Sequence, residues 1–570
     1  MSSFSDKANF IWSVADLLRG DFKQSEYGRV ILPFTVLRRF DCVLAPHKDR
    51  ILEINKTLTV TNKAPVFKRC TGYDYYNISK FSFEKLRDDS NAVETNLRDY
   101  ISGFSDDIRA ILDNFEIGIT IKRLKKANLL YLIVQKFAEL DLDEKSIDNL
   151  TMGYMFEDLI RKFSEKSNET AGEHFTPREV IELMVDLLLE EDGDILNTEG
   201  KVIKVYDPAC GTGGMLTAAQ KKLQEYNGKI KVIPFGQELN PETYAICKSD
   251  MSIKGNSQAG IVLGNSFSED GFKDEKFDYM LSNPPFGVEW KKVQSFILDE
   301  AEKQGFNGRF GAGTPRISDG SLLFLQNMIS KMIPQKDGGS RIAIVFNGSP
   351  LFTGDAGSGE SEIRKWIIEN DFLEAVIGLP DQLFYNTGIA TYIWILSNRK
   401  SDRRKGKIRL VNGVSFFEKM RKSLGNKRNE ISDKSRNALV NLYSMHEPDE
   451  NYIDFDNSDF GYKKITIDRP LYDKDGKPEL DKKGNKKPNA ELRDIETVPL
   501  KEDVNEYFKR EVLPYVPGAW IDESKTKTGY EIPFTRHFYK FVPLRSSQEI
   551  MKEIECLKKD IDEAFQELIK

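Results

Sequence analysis

A glycine-rich turn between a strand and a helix sets the strongest limit on the fold of this chain. Residues 202–206 form a β-branched run. Asp207-Pro208-Ala209-Cys210-Gly211-Thr212-Gly213-Gly214 follows at once, and residues 215–226 carry a helical pattern. Glycine in such a turn permits close approach to the backbone, and the N–H groups opening the helix face whatever anionic group binds there. Short strand-like runs then alternate with helical ones: candidate strands at 231–237, 260–263, 277–281, 341–345, 375–379 and 391–396, and a candidate helix at 242–253. Such alternation predicts a mostly parallel, doubly wound α/β sheet.

The flanks read differently. Residues 1–150 show helical spacing, as in Phe10, Ile11, Val14, Leu17 and Leu18, and predict a helical domain. Arg38, Arg39, Lys122, Arg123, Lys125 and Lys126 lie within it, as a solvated helix face or a DNA-facing surface. Residues 151–400 hold the α/β pattern and 400–465 are polar and mixed, together one domain of 151–465, and 466–570 form an extension. Within that extension, 472–488 is nearly all Asp, Lys, Gly, Asn and Pro and reads as an exposed turn; it only half resembles a calcium loop. At the end, Ile550, Ile554, Leu557, Ile561, Ala564 and Leu568 repeat at heptad spacing on one helix.

The five cysteines are scattered, and none of the four histidines stands at ligand spacing from one, so neither a disulfide framework nor a metal site is expected. No apolar run is long enough to span a bilayer and no secretory signal is evident, so the expectation is a cytoplasmic protein with no membrane partner. The net charge is −7. A lone, tight DNA binder is usually basic. A DNA-directed role therefore requires a local basic face or a partner that holds the duplex.

The successive strand ends carry the ligand chemistry. The glycine turn lacks the last glycine of a dinucleotide fingerprint, and the carboxylate of S-adenosylmethionine suits the helix N-terminus instead of a pyrophosphate. Glu238 closes the second strand and can accept from ribose hydroxyls; Asn265, at the end of the third, can meet the adenine amine. Upstream, Glu173-His174-Phe175-Thr176-Pro177-Arg178 starts a helix and is placed to close over the cofactor. The expected cofactor-binding set is therefore Glu173, His174, Phe175, Thr176, Pro177, Arg178, Asp207, Pro208, Ala209, Gly211, Thr212, Gly213, Gly214, Glu238 and Asn265.

The fourth strand runs into Asn283-Pro284-Pro285-Phe286. An exocyclic amine on adenine is a poor nucleophile, because its lone pair is delocalised into the ring. Two acceptors aimed at the amine hydrogens, the Asn283 side-chain oxygen and the Pro284 carbonyl, can draw it out of that conjugation. Two prolines stiffen the loop, and Phe286 offers a face for an extruded base. No Pro-Cys dipeptide occurs, which excludes the cysteine nucleophile of cytosine-C5 chemistry, and Cys210 reads as a packing residue.

These motifs resemble those of DNA amino-methyltransferases, and nearly the whole chain is similar to the modification subunits of type I restriction-modification systems. Gly378-Leu379-Pro380, Phe384, Thr387-Gly388-Ile389-Ala390-Thr391 and the tail segments Val498-Pro499-Leu500 and Gly529-Tyr530-Glu531-Ile532 extend the likeness. The resemblance implies a Rossmann-like, class I S-adenosylmethionine-dependent methyltransferase core with an N-terminal helical domain and a C-terminal helical tail. It implies adenine-N6 methylation of double-stranded DNA, two modification subunits on one sequence-reading specificity subunit, and a restriction subunit in the cleaving complex. The heptad helix would pack on the specificity subunit. Asn265 departs from the Asp that many relatives carry. Competing readings are a methyltransferase acting on RNA guanine, protein glutamine or cytosine-N4, and a non-catalytic scaffold of the same fold.

Overall fold

The computed structural model describes residues 4–569 apart from 168–175, 194–197, 199, 257, 386, 476, 482–483 and 540–545. Two compact units divide at Ile532/Pro533. The first begins with helices, from Phe4–Leu18 and Tyr27–Leu44 to Leu130–Ala138 and Asn149–Ser167. The last of these runs past residue 150, and its Phe156, Leu159 and Phe163 share one core with Phe34, Leu37, Phe40 and Ile133. Ala245, Ile246 and Ile253 join that core from helix Pro241–Ile253, so the helical domain is seated on the α/β part through apolar contact.

Arg38 and Arg39 are buried, which departs from both readings of that basic set. Arg38 donates to the carbonyls of Leu140 at 2.7 Å and Ala138 at 3.3 Å, and Arg39 to those of Ile147 at 3.0 Å and of Leu142. Their charge satisfies backbone acceptors past the end of helix Leu130–Ala138, where carbonyls lack intrahelical partners. Lys122, Arg123, Lys125 and Lys126 are exposed, and Arg123 and Lys125 pair with Glu26 and Glu94.

A nine-stranded sheet follows. Its strands are β1 (Val202–Asp207), β2 (Lys231–Glu238), β3 (Gly260–Leu263), β4 (Tyr279–Ser282), β5 (Arg341–Asn347), β6 (Leu373–Gly378), β7 (Thr391–Ser397), β8 (Lys407–Asn412) and β11 (Tyr452–Asp456). Between β8 and β11 lies a separate hairpin of β9 (Glu418–Leu424) and β10 (Lys427–Glu430). The order is β11-β8-β6-β7-β5-β4-β1-β2-β3. All pairs are parallel except those of β7 with β5 and β6, and of β11 with β8. The predicted mostly parallel, doubly wound sheet is therefore present, with β7 inserted against the grain. Strands β1, β4, β5, β6 and β8 point one way, so their carboxyl ends share an edge. The order reverses between β1 and β4, and such a switch point opens a crevice at that edge.

Residues 461–530 add a second sheet, β13-β12-β14, of β12 (Gly461–Asp468), β13 (Asp494–Pro499) and β14 (Trp520–Tyr530). The strand β12 starts before residue 466. The sheet is fastened to helix Gly359–Glu369 through β14, where Arg364 donates to the Tyr530 carbonyl at 2.6 Å and Tyr530 N–H to Ser361 Oγ at 3.0 Å. Within 472–488 only isolated bridges occur among the described residues, such as Tyr472 with Pro478 and Leu480 with Lys486. In the second unit, Ser547–Ile569 is one helix. Among the described residues no helix is long and apolar enough to cross a membrane.

Candidate active site at the carboxyl edge of the sheet

The glycine turn is built as its sequence requires. It leaves β1 after Asp207, and the Cys210 N–H donates to the Gln237 carbonyl of β2 at 3.1 Å. Gly211 and Gly213 both have positive φ, +53° and +85°, and Gly213 caps helix Gly214–Tyr226. A side chain at Gly213 would meet Cys247 Sγ at 2.7 Å, whereas nothing lies within 4 Å of one at Gly211. The turn is thus packed from below and open at Gly211. Cys210 is buried, and its thiol is pushed well above its ordinary range by its contact with Cys247 and by burial. It is a packing residue, as its sequence context implies.

Glu238 holds the turn. Its Oε2 accepts from Gly211 N–H at 2.8 Å and its Oε1 from Asn240 N–H at 2.7 Å. A carboxylate offers about four acceptor sites, enough to brace a loop and meet a ribose diol. Asn265 Oδ1 accepts from the N–H of Phe267 at 2.9 Å, so the acceptor expected to face adenine also shapes the turn after β3. Behind that turn stands Arg309, which sequence reasoning did not single out. Its guanidinium donates to the Ser266 and Phe267 carbonyls at 2.8 and 2.6 Å, and pairs with Glu300 at 2.6 Å.

Two hydrogen bonds join the cofactor motifs to the catalytic loop. Asp207 is buried, and its Oδ1 accepts from Ala209 N–H and Ser282 Oγ, both at 2.9 Å. Burial raises its carboxyl to about 7. Next along β4, Asn283 Nδ2 donates to Thr176 Oγ1 at 2.8 Å, across 107 residues. Its nitrogen is thus committed to Thr176, and its oxygen is buried. Pro284 is buried, Pro285 half-buried, and Phe286 only 7 % exposed within the core beneath the sheet edge. Stacking on a base would require the Phe286 ring to turn outward.

Thr176, Pro177 and Arg178 precede or open helix Arg178–Leu189; Glu173, His174 and Phe175 lie outside the described residues. Arg178 lines a cleft with Phe156, Thr212, Gly214, Asp250 and Lys254. Arg178 pairs with Glu182 at 2.7 Å and Lys254 with Asp250, so the helix N-terminus at Gly214 is the feature of this cleft that favours a small anionic group. Pro208 and Ala209 form the backbone of the turn, with the Pro208 carbonyl accepting from Ser266 Oγ at 2.5 Å.

A glycine-turn crevice on a doubly wound sheet, with an Asn-Pro-Pro-Phe loop on the neighbouring strand end, defines an amino-methyltransferase. Comparison with known proteins gives the particular kind. Residues 147–461 match the N-6 DNA Methylase family, and residues 7–137 match the HsdM N-terminal domain. The chain therefore belongs to the N-6 DNA methylase family, in the form that makes the methylase subunit of type I restriction-modification systems, and is an adenine-specific DNA methyltransferase. It is 26 % identical over 492 residues to the type I restriction enzyme MjaIX methylase subunit of Methanocaldococcus jannaschii, covering 81 % of this chain and 80 % of that one. It is 30 % identical over 264 residues to the HindI methylase subunit of Haemophilus influenzae, covering 46 % and 54 %. In fold it resembles the type I methyltransferase subunit of Streptococcus thermophilus, with a TM-score of 0.63 at 21 % identity, over 80 % of this chain and 97 % of that one.

Proposed function

We propose that the site transfers a methyl group from S-adenosylmethionine to N6 of an adenine turned out of duplex DNA. The observation that carries this reading is the Asn-Pro-Pro-Phe loop at the end of β4, joined to Thr176 of the upstream motif by the Asn283 Nδ2–Thr176 Oγ1 bond at 2.8 Å. Asn283 Oδ1 and the Pro284 carbonyl accept the two amine hydrogens, which returns lone-pair density to nitrogen at the moment of attack. Asp207, Pro208, Ala209, Gly211, Thr212, Gly213 and Gly214 cradle the cofactor, Arg178 with the helix N-terminus meets its carboxylate, and Glu238 meets its ribose. Asn265, in the turn braced by Arg309, borders its adenine; Glu173, His174, Phe175, Thr176 and Pro177 close over it. The residues fit the cofactor because the turn is open at Gly211 and a helix N-terminus and Arg178 line the cleft beside it. When bound, that cofactor supplies an electrophilic methyl on sulfonium; the chain's own residues orient the amine in line and shed its proton to solvent.

The chain acts in the cytoplasm as part of a type I assembly, two copies on one specificity subunit that reads the DNA, with a restriction subunit in the cleaving form. Tritiated-methyl transfer to duplex DNA, with and without that specificity subunit and followed by nucleoside analysis, tests the reading. Label in N6-methyladenine only with the partner is expected. The variant Asn283→Ala should then lose at least about 100-fold in rate, the scale for removing one preorganised hydrogen-bonding group from a reacting centre, with cofactor affinity unchanged. Label on another nucleoside, or full turnover by Asn283→Ala, would overturn it.

A further inference from the structure

An acidic chain that works on DNA can rely on a partner that holds the duplex, or can itself present a local basic face. The hairpin β9–β10 presents one. Residues 418–430 carry five basic side chains against two acidic ones, in a chain whose net charge is −7. Lys427 is buried and paired with Glu179. The other four, Lys419, Arg421, Lys422 and Arg428, are exposed, and none forms an ion pair among the described residues. Elsewhere in the molecule many exposed cations are neutralised, as Arg123 is by Glu26 and Lys303 by Asp299. Four unneutralised cations on one short ribbon hold a field that a polyanion can use.

The fold places this ribbon at the catalytic edge. Strands β6 and β8 are parallel and end in register at Gly378 and Asn412. Their carboxyl ends share the edge from which the glycine turn and the Asn283 loop also emerge. The chain leaving β8 bonds back to β6 through Gly413 N–H and the Gly378 carbonyl at 2.9 Å, then rises into the hairpin. The contacts that fix the hairpin there include backbone bonds and an ion pair. Asn426 N–H donates to the Tyr385 carbonyl at 2.8 Å, Arg428 N–H to the Gln382 carbonyl at 2.9 Å, and Lys427 pairs with Glu179. Glu179 stands three residues after Thr176, which holds Asn283, so two side-chain bonds and the short chain segment at the start of helix Arg178–Leu189 connect the ribbon to the catalytic amide.

Its pairing is uneven. Leu424 faces Lys427 and Lys419 faces Asn429, so Met420, Arg421, Lys422 and Ser423 bulge from the longer strand. Bulges re-aim side chains, and here the bulged residues include the two central cations.

Resting on the reading of the site as a DNA methyltransferase, we propose that the β9–β10 hairpin grips the phosphate backbone of the duplex beside the extruded adenine, with Arg421 and Lys422 at its centre. This supplies orientation and affinity without sequence information.

The test uses the assembled methyltransferase with its specificity subunit, measuring the salt dependence of binding to duplexes with and without the recognised site. For Arg421→Ala/Lys422→Ala, the slope of log affinity against log salt should fall by about 2 in magnitude, near 0.9 for each phosphate no longer neutralised, on both duplexes alike. Cofactor affinity and melting temperature should stay as in the wild type. Lys419→Gln/Arg428→Gln tests the same surface independently. An unchanged slope in both variants overturns the hairpin assignment, and so does a loss confined to the recognised duplex. A wild-type assembly that neither binds nor methylates DNA would instead overturn the underlying reading, and this one with it.

Discussion

Gly211 and Gly213 stand two residues apart and ask different things of the chain. Both have positive φ, which costs an ordinary L-residue roughly 1–2 kcal/mol. Beyond that strain, Gly213→Ala would drive a methyl to 2.7 Å from Cys247 Sγ and 3.2 Å from Met251 Cε in the buried floor of the turn. Gly211→Ala would meet no protein atom within 4 Å and would stand in the space proposed for the cofactor. Gly211→Ala should therefore keep a melting temperature within a few degrees of wild type and lose at least about tenfold in cofactor affinity by calorimetry, a factor worth about 1.4 kcal/mol. Gly213→Ala should lose both stability and binding. Wild-type affinity in Gly211→Ala would remove the turn from the cofactor site. The need for glycine here was legible in the sequence, because a tight turn between strand and helix demands it. The Asn283–Thr176 bond was not, since it joins residues 107 apart, and neither was Arg309, whose role arises only when the loop after β3 folds over it.

Among the elements, the best hidden device lies away from the catalytic edge. Arg341 at the start of β5 meets Glu374 of β6 at 3.3 Å and Tyr443 Oη of helix Asp433–Ser444 at 2.5 Å, while Arg404 approaches Glu374 at 3.4 Å. Side chains of Arg341 and Glu374 are 2 % and 0 % exposed, so neither charge is solvated. Removing one partner of a buried pair typically costs about 3–5 kcal/mol, because the other charge remains. Glu374→Gln should show that loss in urea unfolding. Asp299→Ala, which breaks the exposed pair with Lys303, should leave the urea midpoint nearly where it is, because water solvates both charges already. Equal losses would show that the buried network does not hold the sheet. The seven strands from β1 to β7 were legible to within about two residues at each end, because each is a short, mostly apolar run bounded by polar or glycine-containing turns. Strand β9 was not, because it is exposed along nearly its whole length and shows no apolar alternation. The reversed β7 was likewise hidden, since direction leaves no mark on a fully buried run.

At the scale of the whole molecule, the long helix Ser547–Ile569 carries an apolar seam that is exposed among the described residues. Ile550, Ile554, Leu557 and Ile561 recur at heptad spacing and are 39–61 % exposed. A buried aliphatic side chain contributes about 1.5–3 kcal/mol relative to an exposed one. Three heptads are marginal as an isolated helix, so the seam gains most when another helix covers it. The proposed type I assembly offers that cover in the specificity subunit, while the hairpin and the catalytic crevice lie in the other compact unit. Assembly and chemistry should therefore separate experimentally. A chain lacking residues 547–570 should keep its cofactor affinity and melting temperature, and lose at least about tenfold in affinity for the specificity subunit by calorimetry. Ile554→Asp/Leu557→Asp should act in the same direction without shortening the chain, since two charges on the seam must be desolvated to pack. If both variants assemble with wild-type affinity, the seam is not the surface that meets the partner, and the subunit contacts must be sought on the helical domain or the sheet of β12, β13 and β14.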